Sequence, residues 1–356
     1  MKAPDEAEAE SRVERLLQEW IEGRARVERL EEENSQMGEP RIWDFTVQLR
    51  DETLIGEYRR SGDISTISRA IEQLKEGLRQ SSGDDRPLLI VPFMGEKGAR
   101  RCQEEKISWI DLSGNAHLHT KSFLIHVEGK PNQFKQKGRP ANPFAPKSSR
   151  ISRFLLARPN QRFRQKEIAN QAGVGRGWTS KVIRRLEEKK LVNRDEDGRV
   201  KVPDPSLLLD AWHEKYDFSK HRIIKGTVAS KESVGLMKRL ARAFESAGVE
   251  YAATGLAAAW LLTRFARFRI ATFYLSRQLE EGLKREIGLR EDPKGANVWL
   301  VVPNDEGVFY ENSTREDVRH VHPVQVCLDL KGHPERSEEA ASSIKKEYLN
   351  WRKSDG

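Results

Sequence analysis

Basic side chains recur along one side of a helix predicted between about Gly177 and Lys190. Four residues spaced three or four apart predict the buried face of this helix: Thr179, Val182, Ile183 and Leu186. Its outer side then carries five residues suited to nucleic acid: Arg176, Trp178, Lys181, Arg184 and Arg185. An α-helix fits the major groove of B-form DNA, where Arg and Lys can bond to guanine O6 and N7. The pattern therefore predicts a helix that reads duplex DNA.

Positive charge is concentrated around this helix. Residues 147–202 contain sixteen Lys and Arg against six Asp and Glu, a net charge of +10. Because the whole chain carries +8, the remaining residues sum to −2. Charge that served only solubility would be spread evenly, whereas charge confined to one short segment indicates a site for a polyanion.

The surrounding pattern predicts a winged helix-turn-helix over residues 147–203. Helices at Ile151–Ala157 and Gln165–Gln171 precede the basic helix, and Gly173 supplies the left-handed residue of a tight turn between helices. Leu191–Val202 contains two short strands and a hairpin turn, which would form the wing. An Arg at the wing tip can enter a narrow minor groove. The predicted DNA contacts are Arg164, Lys166, Arg176, Trp178, Ser180, Lys181, Arg184, Arg185 and Arg199.

The run Gly173–Val192 resembles winged-helix transcriptional regulators. This resemblance implies binding to double-stranded DNA, at an inverted repeat if the protein forms a homodimer. The rival interpretation is a helical protein–protein module with a solvated basic face. In that case the chain would be a partner-binding protein without a regulatory DNA site.

The residues before the basic region predict an N-terminal helix and then a mixed α/β domain. Residues 1–40 are charged and helix-prone. Their apolar stripe predicts either a short coiled-coil seam or a helix lying against the next domain: Val13, Leu16, Trp20, Val27 and Leu30. Residues 41–133 predict strands and helices, beginning with a strand at Ile42–Leu49 and its hairpin partner at Leu54–Arg59. The segment 134–146 predicts a linker.

Two acidic residues lie on this predicted hairpin, Asp44 and, thirteen residues on, Glu57 of Glu57-Tyr58-Arg59. The arrangement resembles nucleases of the restriction-endonuclease-like superfamily, which place an Asp and a Glu-x-Lys on adjacent strands. That resemblance implies a Mg²⁺ ion shared by two carboxylates, a basic residue that helps position the attacking water, and a further polar residue at Gln73. Arg59 stands where Lys is expected, and a guanidinium is bulkier and keeps its proton. We therefore expect a degenerate site without a cofactor, and keep a Mg²⁺-dependent nuclease targeted by the winged helix as the alternative.

Residues 204–356 predict a second α/β domain. Two runs carry a resemblance to the AbiEi type, antitoxins of abortive-infection toxin–antitoxin pairs: Tyr251–Leu262 and His322–Ala341. The resemblance implies an autorepressor that opposes a nucleotidyltransferase-like toxin. In that family the helix-turn-helix usually lies at the N-terminus, whereas here it is central.

Composition argues against several other classes of protein. Cys102 and Cys327 lie in no Cys-x-x-Cys or Cys/His cluster, which argues against a disulfide framework and structural zinc. Tyr251–Leu262, the most apolar run, is too short to cross a bilayer. The acidic start has no apolar stretch of the kind that a signal peptide needs. We expect a cytoplasmic protein with no membrane role.

Together these patterns predict a multidomain α/β protein. Its parts would be a restriction-endonuclease-like α/β domain, a central winged helix-turn-helix and a C-terminal α/β domain. The predicted function is that of a sequence-specific DNA-binding transcriptional regulator, acting as the autorepressing antitoxin of a toxin–antitoxin operon.

Overall fold

The chain folds into two compact units, Met1–Pro140 and Ala141–Gly356, whose division lies within the segment predicted as a linker. The computed structural model describes residues 3–21, 25–29, 44–49, 52–80, 86–121, 124–134, 142–265 and 267–351.

The N-terminal unit is built on one mixed sheet, whose seven described strands lie side by side in chain order. They are β1 (Ala25–Arg29), β2 (Phe45–Leu49), β3 (Glu52–Tyr58), β4 (Arg86–Val91), β5 (Ser108–Asp111), β6 (Ala116–His119) and β7 (Leu124–Val127). The central strands β3, β4 and β5 are parallel, and the pairs on either side are antiparallel. The predicted hairpin of β2 and β3 is confirmed.

Helices cover both faces of this sheet: α1 (Glu6–Trp20), α2 (Ile64–Gln80) and α3 (Glu96–Glu104). Successive residues of β4 point to opposite faces. Leu88 and Ile90 pack in the core that contains α1, whereas Leu89 and Val91 pack in the core that contains α2 and α3. Because both faces are covered, the buried part of β4, Leu88–Val91, is an uninterrupted apolar run.

The expectation of a helix through residues 1–40 is wrong at Ala25–Arg29, and residues 22–24 and 30–40 lie outside the described residues. Ala25–Arg29 forms β1, an antiparallel partner of β2 in which Val27 lies opposite Val47. The unpaired backbone groups along β2 bind this charged segment, so tertiary pairing overrides its local helix propensity. The first predicted strand is also shorter than expected, because Asp44 occupies a bend just before β2.

The apolar stripe of α1 lies against the sheet, with Ala9, Val13 and Leu17 fully buried in the same core as β4. The packed helix is therefore confirmed in place of the coiled-coil seam. Leu30, the last residue of the predicted stripe, lies outside the described residues.

The second unit begins with the predicted helix-turn-helix and wing. Its elements are α4 (Pro146–Ala157), α5 (Gln165–Gln171), α6 (Arg176–Glu188), β8 (Asn193–Arg194) and β9 (Val200–Lys201). Gly173 has φ +61°, as the turn between α5 and α6 requires. The backbones of Phe163 and Val200 exchange two hydrogen bonds of 3.0 and 2.8 Å, which tie the wing to the segment before α5.

The rest of this unit surrounds a second sheet of seven described strands: β10 (Arg222–Thr227), β11 (Tyr251–Thr254), β12 (Ala271–Leu275), β13 (Arg290–Glu291), β14 (Val298–Val302), β15 (Ser313–Arg315) and β16 (Val318–His320). They lie side by side in the order β13-β10-β14-β12-β11-β16-β15. The helices are α7 (Pro205–Lys215), α8 (Ser233–Ser246), α9 (Gly255–Thr263), α10 (Glu281–Glu286), α11 (Pro323–Asp329) and α12 (Ser337–Tyr348).

Helix α4 connects the helix-turn-helix to this second sheet. It packs against α7, against α11 and against the 3₁₀ turn Glu306–Phe309. The helix-turn-helix is therefore held within its unit through its first helix, which leaves α6 to face outward. None of the described helices is both long and apolar enough to span a bilayer.

Candidate DNA-binding surface and N-terminal polar cluster

Helix α6 presents the basic residues that the sequence assigns to DNA. Its buried side is formed by the four predicted residues, and the Thr179 hydroxyl donates a 3.1 Å hydrogen bond to the carbonyl of Gly175 in the first turn. Arg176, Lys181 and Arg184 are exposed. Within the described part of the chain, Arg176 and Lys181 have no ion-pair partner. Their charge is therefore available to an anionic ligand.

Other predicted contacts on α6 are exposed but have local partners. The Trp178 side chain is 52% exposed, and its indole N–H donates to the Ser148 hydroxyl at 3.0 Å. Arg184 and Arg185 both approach the Glu188 carboxylate, at 3.9 and 3.0 Å. Exposed pairs of this kind contribute little free energy. Both arginines can therefore exchange Glu188 for a phosphate at small cost.

The remaining predicted contacts of the helices are also on the surface. Ser180 is exposed on α6, and Arg164 and Lys166 are exposed at the start of α5. The backbone N–H of Arg164 donates to the Glu167 carboxylate at 2.7 Å, which closes the first turn of α5.

The wing places its arginine differently from the prediction. Arg199 is half-buried, and its Nε is buried without a hydrogen-bond partner among the described residues. Its backbone N–H donates to Asp195 at 2.9 Å, and this bond, with the charge of nearby Arg162, lowers the pKa of the Asp195 carboxyl. The exposed turn residues are instead acidic, Glu196 and Asp197. Arg199 thus has less reach toward a minor groove than the sequence suggests.

Three of the sixteen basic residues in the charged segment point away from the proposed DNA surface, all on or just after α4. Arg150 binds both oxygens of Asp305, with three contacts of 2.8–3.0 Å. Arg158 pairs with Glu311 and donates to the Tyr310 hydroxyl at 2.6 Å. These contacts join the helix-turn-helix to the C-terminal domain. These arginines are therefore not available to bind a polyanion.

Arg153 is the deepest of the three, at 3% exposure. It donates to the side-chain oxygen of Gln325 at 2.6 Å, and its guanidinium lies 5.0 Å from the centre of the Trp212 ring. Its Nη1 packs so closely against Gly307 that a Cβ there would come within 2.9 Å. A larger residue at Gly307 would therefore collide with the buried arginine.

In the N-terminal unit the four nuclease-like candidates come together. The antiparallel register of β2 and β3 places Asp44 beside Glu57, and the Asp44 carboxylate accepts the backbone N–H of Tyr58 at 2.7 Å. Arg59 pairs with Glu57, donates to Gln73 at 2.7 Å and lies 3.9 Å from Asp44. One guanidinium therefore contacts or approaches all three of the other side chains.

This donor set does not fit a divalent cation. Glu57 is 2% exposed, and one of its oxygens binds Arg59 while the other is buried with no partner among the described residues. Burial, which outweighs the attraction of Arg59, raises the pKa of Glu57 to about 7. Mg²⁺ prefers an open set of ionised oxygens and bound water. Within the described residues, no group of three or more His, Cys, Asp and Glu side chains is placed to hold a metal ion.

Sequence reasoning missed a buried polar network in the C-terminal domain. Asp329 is 1% exposed and accepts hydrogen bonds from Tyr216, from Tyr274 at 3.0 Å, from Gln325 at 2.7 Å and from Thr254. Burial raises the pKa of Asp329 to about 6, against the effect of these donors. The five residues lie on β11, β12 and α11 and just after α7, and they share no motif, so no pattern in the sequence predicts them.

Comparison with known proteins assigns a type to most of the second unit. Residues 149–211 match the model of the Crp-like helix-turn-helix domain. Residues 199–350 match the model described as transcriptional regulator, AbiEi antitoxin, type IV toxin–antitoxin system. Within residues 149–350 the chain is therefore similar to a Crp-like helix-turn-helix followed by an AbiEi-type antitoxin domain. No curated protein and no solved structure matches the chain.

The two matches agree with the geometry of α6 and the wing. They support a DNA-binding transcriptional regulator that acts as the antitoxin of a type IV toxin–antitoxin system. Neither match includes the N-terminal unit.

Proposed function

We propose that this protein is a sequence-specific autorepressor, which binds an operator in the promoter of its own toxin–antitoxin operon. The observation that carries the proposal is the outer face of α6, where Arg176 and Lys181 are exposed without an ion-pair partner in the described part of the chain. A helix with such a face can enter the major groove and bond to guanine edges.

The other exposed residues have distinct proposed roles. Arg176 and Arg184 would contact bases. Lys181, Arg164 and Lys166 would contact phosphates. The half-exposed Trp178 ring offers an apolar surface to a thymine methyl group or a sugar.

We further propose a homodimer on an inverted repeat, because two symmetric reading helices require two symmetric half-sites. The functional antagonist would be a nucleotidyltransferase-like toxin encoded in the same operon. The AbiEi-type match over residues 199–350 supports this part of the proposal.

Binding to the protein's own promoter region tests the proposal. A triple variant, Arg176→Ala with Lys181→Ala and Arg184→Ala, should weaken binding by several kcal/mol, at about 1–3 kcal/mol for each good base contact. A matched control, Lys231→Ala with Arg242→Ala and Arg285→Ala, removes three exposed charges from the C-terminal domain and should bind as the wild type does. Footprints that cover DNA uniformly, without a protected operator, would contradict sequence-specific repression.

The N-terminal unit supports a second candidate, a Mg²⁺-dependent nuclease with a restriction-endonuclease-like fold. The observation in its favour is the meeting of Asp44, Glu57, Arg59 and Gln73 at one edge of the hairpin. We propose that the domain has such a fold but no activity, because Arg59 takes up the carboxylate that a metal ion would need. Plasmid DNA should stay intact with Mg²⁺ or Mn²⁺. Cleavage that disappears in both Asp44→Ala and Glu57→Ala would establish the nuclease.

A further inference from the structure

A cleft of about 350 Å³ opens in the AbiEi-type domain, away from α6. It lies between the 3₁₀ turn Phe218–Lys220, strands β10 and β14, and the residues that follow α11. The DNA-binding surface does not use it, and the chemistry of its walls suits a small ligand.

One wall of the cleft is aromatic. The rings of Phe218 and Trp299 lie with centroids 6.4 Å apart and planes 26° from parallel, and the Lys225 ammonium lies 4.3 Å from the centre of the Trp299 ring. Aromatic faces of this kind stack flat rings such as nucleobases, with little preference among the bases.

The charge of the lining favours an anion. Lys225 and Lys331 both line the cleft, against one carboxylate, Asp217. The Lys331 ammonium donates to three backbone carbonyls at the end of α7, the closest at 2.6 Å, so it contributes a fixed positive charge. Lys225 is exposed and can turn its ammonium from the Trp299 ring to a phosphate. Asp217 accepts from the backbone and hydroxyl of Ser219 and can also accept a sugar hydroxyl.

The cleft is connected to the helix-turn-helix by hydrogen bonds. Tyr216 lines the cleft, and its hydroxyl donates to Asp329 and accepts from Gln325 at 3.1 Å. Gln325 in turn accepts from Arg153, which lies on α4. A ligand that shifts Tyr216 would therefore disturb the buried contact that holds the helix-turn-helix.

We propose that this cleft binds a small aromatic anion of the nucleotide class, and that its occupancy changes DNA affinity through Tyr216, Gln325 and Arg153. The ring would stack on Trp299 and Phe218, and the phosphate would pair with Lys225. The first half of the proposal is independent of the proposed repressor function, and the second half rests on it.

Calorimetric titration of the full chain with ATP, GTP, CTP and UTP tests the site. At least one nucleotide should bind. The corresponding nucleoside lacks the phosphate and free pyrophosphate lacks the base, so each should bind at least about tenfold more weakly. Lys225→Ala and Trp299→Ala should each weaken binding by a similar factor, and Trp299→Phe should largely retain it. Arg264→Ala is the matched control, since it removes another cation packed on an aromatic ring, that of Trp260, in the same domain.

The site is overturned if no nucleotide binds at millimolar concentration, or if binding is unaffected by both Lys225→Ala and Trp299→Ala. Binding of single-stranded oligonucleotides without binding of any mononucleotide would also overturn it, in favour of a nucleic-acid contact.

The connection is tested with Tyr216→Phe, which keeps the ring in the cleft and removes only the hydroxyl. Saturating nucleotide should shift the operator affinity of the wild type at least about threefold, a coupling in the usual allosteric range. Because Tyr216 lines the cleft, the nucleotide affinity of the variant is measured first, and its operator affinity should then show no shift at saturating nucleotide. A wild-type affinity that stays constant when nucleotide is bound overturns the connection. Failure to bind an operator at all would instead overturn the proposed repressor function, because nucleotide binding is measured without DNA.

Discussion

Helices α4 and α6 belong to the same helix-turn-helix, and both carry several arginines, but the two sets face opposite ways. Arg150 and Arg153 on α4 are bonded into the C-terminal domain, and Arg153 is almost fully buried. Arg176 and Arg184 on α6 are exposed, with at most a weak local partner. The comparison shows that residue type alone does not mark a DNA contact. What matters is whether the guanidinium is already bonded within the fold.

The N-terminal unit extends the same lesson. Arg59 lies in a cluster whose residue types suggest metal chemistry, but its guanidinium is bonded to Glu57 and Gln73. It is therefore bound within the fold, as the α4 arginines are, and differs from Arg176 and Lys181 of α6, which have no ion-pair partner in the described part of the chain. We therefore propose three roles. Helix α6 binds DNA, α4 holds the helix-turn-helix against the C-terminal domain, and the N-terminal cluster is a structural ion pair.

The largest expected effect is on stability, at the inward-facing Arg153. Arg153→Ala should lower the free energy of unfolding by about 2–5 kcal/mol, because it opens a cavity beside Trp212 and leaves the buried Gln325 oxygen without its donor. Arg184→Ala, on the outward face, should change it by less than about 0.5 kcal/mol. Denaturant unfolding of both variants measures the difference. Equal losses would contradict the assignment of inward and outward arginines.

A smaller effect concerns the pH dependence of stability at Glu57. Its pKa is raised from 4.5 to about 7 in the folded chain, so the folded state binds more protons than the unfolded state between these values. The contribution of Glu57 is therefore favourable below about pH 4.5 and is lost as pH rises through about 7, by up to about 3 kcal/mol. Glu57→Gln should flatten this part of the stability profile in calorimetric melts. A profile identical to that of the wild type would show that Arg59 keeps Glu57 ionised.

The hairpin register explains why the polar cluster could be predicted from sequence and why its chemistry could not. Asp44 and Glu57 flank a predicted hairpin, so their meeting follows from strand pairing alone. The burial of Glu57 depends on how α2 and the sheet pack, which no local pattern reveals. For the same reason β1 was missed: its charged residues indicate a helix until the open edge of β2 is known.

The helix-turn-helix was the most predictable part, because Gly173 and the buried face of α6 are local signals. The partners of Arg150 and Arg158 lie more than 150 residues away along the chain. No local sequence pattern could therefore show that these arginines face the C-terminal domain. Of the four partners of Asp329, Gln325 lies one helical turn away, and the other three lie at least 55 residues away along the chain.

A still smaller effect, on DNA cleavage, is expected when Lys replaces Arg59 and restores the Glu-x-Lys pattern of the nucleases. Arg59→Lys should produce no cleavage of plasmid or linear duplex with Mg²⁺ or Mn²⁺, because Glu57 stays buried and the donor set stays incomplete. Binding to the operator should be unchanged. Gel electrophoresis measures the cleavage, and a gel-shift assay measures the operator binding. New metal-dependent cleavage would mean that a single substitution disables an otherwise complete site.

The comparison of α4 with α6 is tested most directly by the salt dependence of operator binding in two single variants. A residue that contacts phosphate releases counterions, so its loss should reduce the slope of log K against log salt by about one unit. We predict this reduction for Lys181→Ala on the outward face of α6, and an unchanged slope for Arg158→Ala, whose charge is already paired with Glu311. An unchanged slope for Lys181→Ala, or a reduced slope for Arg158→Ala alone, would contradict the proposed DNA-binding surface.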